Sequence, residues 1–136
     1  MKPETFYNNT QDEVIYSYTR KQAIEDGFQV KLEGEHAKTA KEAGYKWPVY
    51  LTSGVLGLIE RAVASERHCN DFTGVLWDIC YMSIRTGRML NNSMKEFTVI
   101  ITGAGNKKYH TLWVECGPVD IDDPAPALTF MLPEEN

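Results

Sequence analysis

The chain is poor in the residues that announce a chemistry. Three cysteines (Cys69, Cys80 and Cys116) and three histidines (His36, His68 and His110) are spread over 136 residues. No Cys-x-x-Cys or His-x-x-x-His pair is among them, and the histidines fall on three separate predicted elements. A closed tetrahedral metal centre therefore has no obvious ligand set. An odd number of cysteines without paired spacing excludes a disulfide framework and points to reduced thiols in a cytoplasmic setting. Cys80 and Cys116 read as buried thiols. Basic residues are in deficit, 14 against 19 acidic, for a net charge of -5. General nucleic-acid binding is disfavoured on that balance, because phosphate neutralisation needs a basic surface. Long apolar runs are missing too. The longest, residues 75–84, is interrupted by Asp78 and is far short of the roughly 20 residues that span a bilayer. The opening Met1-Lys2-Pro3-Glu4-Thr5 lacks the apolar stretch of a signal peptide. These features predict no membrane segment.

Motifs of catalysis are equally scarce. There is no Gly-x-Ser-x-Gly elbow, and Gly103-Ala104-Gly105 lies between two strands with no helix after it, so it reads as a hairpin turn and not a dinucleotide fingerprint. Cys69 adjoins His68, but neighbouring side chains point apart and a base must face its nucleophile. Asp120, Asp122 and Asp123 lie between prolines, where aspartates are ordinary turn formers, so a solvated turn is favoured over a cation site. Tyr16-Ser17-Tyr18-Thr19 followed by Glu33-Gly34-Glu35 is similar to the hydroxyl strand and paired glutamates of ADP-ribosyl transferases, yet the separation is too short for a nicotinamide pocket between them. No catalytic residue, metal or cofactor is assigned, and a binding protein is favoured over an enzyme.

What the chain does have is the composition of an ordinary globular domain, 43% apolar and 24% charged. A single domain over residues 1–136 is expected, with residues 1–12 as a loosely held arm. The most informative run is residues 14–27. A β-like apolar and aromatic segment feeds directly into a helix opened by Thr19, with Gln22 completing a capping box, and closed by Gly27. Residues 28–32 alternate as a half-buried strand does. Residues 35–43 predict a short exposed helix ending at Gly44, and residues 45–49 run extended into Pro48. Thr52 or Ser53 caps a helix with Val55, Leu58, Ile59, Ala62 and Val63 on its apolar face. Asp71 caps a helix over residues 72–86 that is apolar nearly all round and reads as the central buried element. Strands are predicted over 97–102, 109–116 and 127–132, the last two separated by a Pro- and Asp-rich loop. The expected fold class is α+β, with an antiparallel sheet of three to five strands packed against a buried central helix. The expected core holds Ile24, Leu58, Ile59, Leu76, Ile79, Val99, Leu112, Val114 and Phe130.

Several segments carry a resemblance in the same order along the chain. They are Ile15-Tyr16-Ser17-Tyr18-Thr19-Arg20-x-x-Ala23-Ile24-x-Asp26-Gly27, Ala40-x-x-x-Gly44-Tyr45-Lys46-Trp47-Pro48-Val49, Leu76-Trp77-Asp78, and Cys116-Gly117-Pro118 with Leu132-Pro133-Glu134-Glu135. Together they resemble a bacterial and phage family of unknown function whose members are small accessory proteins of plasmids, conjugative elements and phages. The resemblance implies a module that binds an unidentified protein partner, and it supplies no catalytic residues. The alternative is a small-molecule-binding protein or enzyme acting on an anionic ligand at the strand–helix junction around Arg20. The candidate ligand-binding residues are Tyr16, Tyr18, Arg20 and Asp26, with Trp47 and Asp78 as neighbours. Arg20 opposes the helix dipole from the first turn and so invites a counter-charge, either an anion held also by the free N–H groups of that turn or the carboxylate of Asp78.

Overall fold

A computed structural model describes residues 18–135. The expected arm over residues 1–12 and the candidate site residue Tyr16 lie outside the described residues. So does the expected strand at 14–18, save Tyr18, which precedes the first helix without being in a strand. The elements run α1 (Arg20–Glu25), β1 (Gln29–Lys31), α2 (Gly34–Ala43), β2 (Val49–Thr52), α3 (Ser53–Ala64), α4 (Phe72–Arg85), β3 (Arg88–Met89), β4 (Met94–Ile100), β5 (Tyr109–Asp120) and β6 (Asp123–Met131), followed by a 3-10 turn at Pro133–Glu135.

The fold is α+β, but its sheet has six strands in the order β1-β2-β6-β5-β4-β3, and β2 pairs with β6 in parallel. The expectation of three to five purely antiparallel strands is corrected on both counts. Sequence reading missed two strands, the two-residue β3 and, more consequentially, β2. All four of its residues are buried, so it has none of the alternation that marks a strand with one wet face. The Pro- and Asp-rich segment is no loop either. Pro118 faces Pro126 and Asp120 faces Asp123, so β5 and β6 form one long hairpin joined by Ile121-Asp122. Beyond Glu115 and Leu128 neither β4 nor β2 continues the ladder. The tip is thus a two-stranded extension, where prolines cost the sheet few hydrogen bonds.

Helices α2, α3 and α4 cover one face of the sheet and α1 packs on the other. The main core lies between sheet and helices: Leu51, Ile59, Leu76, Ile79, Leu112, Val99, Phe97 and Phe130 are almost fully enclosed, and Leu58 and Val114 are buried beside them. Phe130 meets Phe97 and Tyr45 edge-on, each with ring centroids 5.9 Å apart, the arrangement favoured by aromatic quadrupoles. Ile24 does not join this core. It is 40% exposed, because the six-residue α1 buries only Ala23. Val63 is exposed as well, and so is Cys116, which β5 carries toward the hairpin tip. Cys80 is buried, and burial pushes its thiol up to about 12.

The predicted caps form. Thr19 and Gln22 exchange side-chain-to-backbone bonds of 3.0 Å each, Thr52 accepts from Val55 N–H and Asp71 from Gly74 N–H. The carboxylate of Glu135 adds a long-range clamp at the start of α3, accepting from Thr52 Oγ1 at 2.6 Å and Gly54 N–H at 3.0 Å. Gly87 ends α4 with φ +96, and a Cβ there would run into the backbone oxygen of Glu96. Only glycine fits that approach of helix end to sheet. Helix α2 is half buried, not exposed: Thr39, Ala40 and Ala43 face inward against α4. Helix α4 is likewise enclosed on one side only, by Val75, Leu76, Ile79, Cys80 and Ser83. It rests on the sheet between α2 and α3, and its outer stripe faces solvent, which corrects the expectation of a helix buried all round.

Candidate functional site

At the start of α1 the chain uses its own groups in the place that the alternative reading gave to an external anion. The Asp120 carboxylate, from the hairpin tip, accepts Arg20 N–H at 3.1 Å through Oδ1 and Lys21 N–H at 3.0 Å through Oδ2. Its Oδ1 also accepts Ile121 N–H at 2.9 Å. These backbone donors, that of Ile121 first, hold Asp120 below the usual carboxylate range. Gln22 N–H goes to Thr19, so the first three N–H groups of α1 all have partners within the chain.

Arg20 is just as fully engaged. Its Nε donates to Val119 O at 2.5 Å, its Nη1 to Gln29 Oε1 and Thr129 Oγ1 at 2.9 Å each, and its Nη2 to Pro118 O at 3.3 Å. Four of the five guanidinium N–H groups are thereby used. The guanidinium also sits 3.9 Å above the ring centroid of Tyr50. Burial lowers the Arg20 pKa, opposed by Tyr50, Asp120 and Glu115. Gln29, Tyr50 and Thr129 alternate along their strands with the core residues Val30, Leu51 and Phe130. Arg20 therefore lies on the sheet face opposite α4 and makes no pair with Asp78; its guanidinium bonds neutral acceptors, with Asp120 and Glu115 acting on its charge only at longer range.

Tyr18 and Arg20 line a shallow depression of about 270 Å³ with Gln29, Glu115 and Thr129. Asp26 is brought to the same corner, since Tyr18 donates its hydroxyl proton to Asp26 Oδ2 at 2.5 Å. That bond raises the Tyr18 phenol to about 12. Trp47 and Asp78 are elsewhere. Trp47 lines a recess with Leu32, Ala40 and Tyr45, and Asp78 belongs to a cleft between α2 and α4.

A second constellation lies on the outer stripe of α4. Trp77, Tyr81 and Arg85 recur at four-residue spacing, which aligns them on one helix face. The rings of Trp77 and Tyr81 stack with centroids 6.0 Å apart and planes at 28°. The Arg85 guanidinium covers the other end of the row, 4.0 Å from the Tyr81 centroid. Trp77 is 36% exposed, Tyr81 39% and Ile84 36%. Ile84 rests against Gly44, in the turn that leads to Trp47.

A family model matches residues 4–136. The chain belongs to DUF6573, a family of unknown function. No curated protein and no solved structure matches it. For this DUF6573 chain, no helix among the described residues is long and apolar enough to cross a membrane. Sequence reading picked out Arg20 but not its partner Asp120, a hundred residues on. Tyr81 and Arg85 were missed because they sit in a run that looked buried; their four-residue spacing after Trp77 was the available signal.

Proposed function

We propose that this DUF6573 chain is a protein-binding module, with α4 as its contact surface. The observation that carries the reading is the stacked row Trp77–Tyr81–Arg85, more than a third exposed at both aromatic rings. Tryptophan, tyrosine and arginine are the residue types that dominate interface energetics. Stacked on one another, they are ordered before a partner arrives, which lowers the entropy lost on binding. Ile84, one turn beyond, extends the row into the i, i+4, i+7 pattern that helix-face recognition uses. An accessory role in a bacterial mobile element or phage is supported by the motif resemblance. A cytoplasmic setting is supported by three unpaired thiols.

A small anionic ligand at Arg20 has less support, because the donors that would hold it are bonded to Pro118, Val119, Gln29 and Thr129. The test is capture from a lysate of the source organism with three baits: the natural chain, Trp77→Ala/Tyr81→Ala, and Ile100→Ser/Tyr109→Ala on the opposite sheet face. A protein lost with the first variant and kept with the second supports α4. Equal capture by all three, or loss only with the second, refutes it.

A further inference from the structure

The outward stripe of α4 has the spacing of a coiled-coil seam. Gly74, Trp77, Tyr81 and Ile84 follow one another at intervals of three, four and three residues, so they share one line along the helix, as a and d positions do. All four are exposed. Asp78 and Arg85 flank that line on one side, two helical turns apart. Both are exposed, and neither has an ion-pair or side-chain hydrogen-bond partner among the described residues. Arg85 rests on the Tyr81 ring, which leaves the edge of its guanidinium free to fork onto a carboxylate.

The stripe thus carries a negative charge toward its start, a positive charge toward its end and an apolar row between them. Such a surface is complementary to itself turned end for end. With a two-fold axis through the middle of the row, Tyr81 of each copy lies beside Ile84 of the other, and Asp78 of each faces Arg85 of the other. Every contact is then made twice, as a two-fold interface requires. Parallel pairing would set Asp78 level with Asp78 and Arg85 level with Arg85, like charge against like, so the charges select the antiparallel arrangement. We propose that the partner docking on α4 is a second copy of this chain, helix against helix and antiparallel. The proposal rests on the protein-binding reading above and names the partner. A seam of 14 residues is small beside the roughly 800 Å² per partner of a standard interface. The dimer is accordingly expected to form at about 10–100 μM.

Sedimentation equilibrium over about 5–500 μM protein reads the assembly. The natural chain is expected to pass from monomer to dimer across that range. Asp78→Arg and Arg85→Asp each set like charges face to face at both ion-pair contacts. Each is expected to weaken dimerisation about tenfold or more, with the circular dichroism spectrum unchanged. Mixing the two variants brings opposite charges together at both contacts, so the equimolar mixture forms a one-to-one dimer that neither variant forms alone. A natural chain that stays monomeric throughout the range overturns the proposal, whether or not the variants fold. So does a dimer indifferent to both substitutions, or a mixture no better associated than its components. Partner capture separates the two readings. With a second copy as partner, a tagged bait recovers the untagged chain of the source cells, and a Tyr81→Ala bait does not. If the natural chain stays monomeric while a different protein is captured through Tyr81, the second-copy assignment fails and the protein-binding reading stands. If neither assembly nor capture responds to Tyr81→Ala, both fall.

Discussion

Replacing Arg20 with alanine distinguishes an arginine that holds the fold from one that holds a ligand. The substitution leaves four acceptors without their donor: two backbone carbonyls, Gln29 Oε1 and Thr129 Oγ1. The carbonyls and Gln29 lie at a partly open corner where water replaces much of the loss. Thr129 is only 4% exposed, so its hydroxyl bears a desolvation penalty of about 1–2 kcal/mol. Loss of the cation over Tyr50 adds about 0.5–1 kcal/mol at a half-exposed site. The buried methylenes of the arginine stem add about 1 kcal/mol more. The sum is about 3 kcal/mol, which for a domain of this size lowers Tm by about 10 °C. Arg20→Lys recovers little, because a single ammonium cannot reach four separated acceptors. Thermal unfolding by circular dichroism gives the answer, and a cycle with Thr129→Val isolates the pair at about 1 kcal/mol of coupling. A fall in Tm of less than about 3 °C, or strict additivity in the cycle, refutes the structural role.

Two further outcomes follow from shifted groups. Asp120 titrates below the usual carboxylate range because backbone N–H groups bond its charged form. Its contribution is present above the unfolded value of about 3.9 and is lost as pH falls through the lower folded value. Asp120→Asn should flatten the decline in denaturant midpoint on the acid side, while an unchanged acid profile would contradict the clamp on α1. Cys80, pushed up to about 12 by burial, should resist a thiol reagent at neutral pH in the native chain, while the exposed Cys69 and Cys116 react. Labelling of all three at similar rates would mean that the helix–sheet core opens readily.

Local signals were legible in the sequence. The caps at Thr19, Thr52 and Asp71 involve groups three residues apart, so their chemistry is written in a short window. The meander from β4 to β6 was legible where strands have one dry face. Strand β2 was not, because it is buried on both sides. The hairpin tip was hidden by prolines that only a two-stranded extension tolerates. At the site, the open N–H groups at the start of α1 called for an acceptor, but locating Asp120 required the tip of β5 to fold back over α1. The α4 row was obscured because apolar residues occupy every side of the helix, and sequence cannot say which side the sheet leaves open.

The account stands on α4 being the contact face, and site-specific photo-crosslinking in the source cells tests it most directly. Benzoylphenylalanine placed at position 81 reports on the helix stripe; placed at position 109, where Tyr109 is 59% exposed, it reports on the opposite sheet face. The account predicts a discrete protein adduct from Tyr81→benzoylphenylalanine and none from Tyr109→benzoylphenylalanine. An adduct formed at position 109 and not at 81 would contradict it.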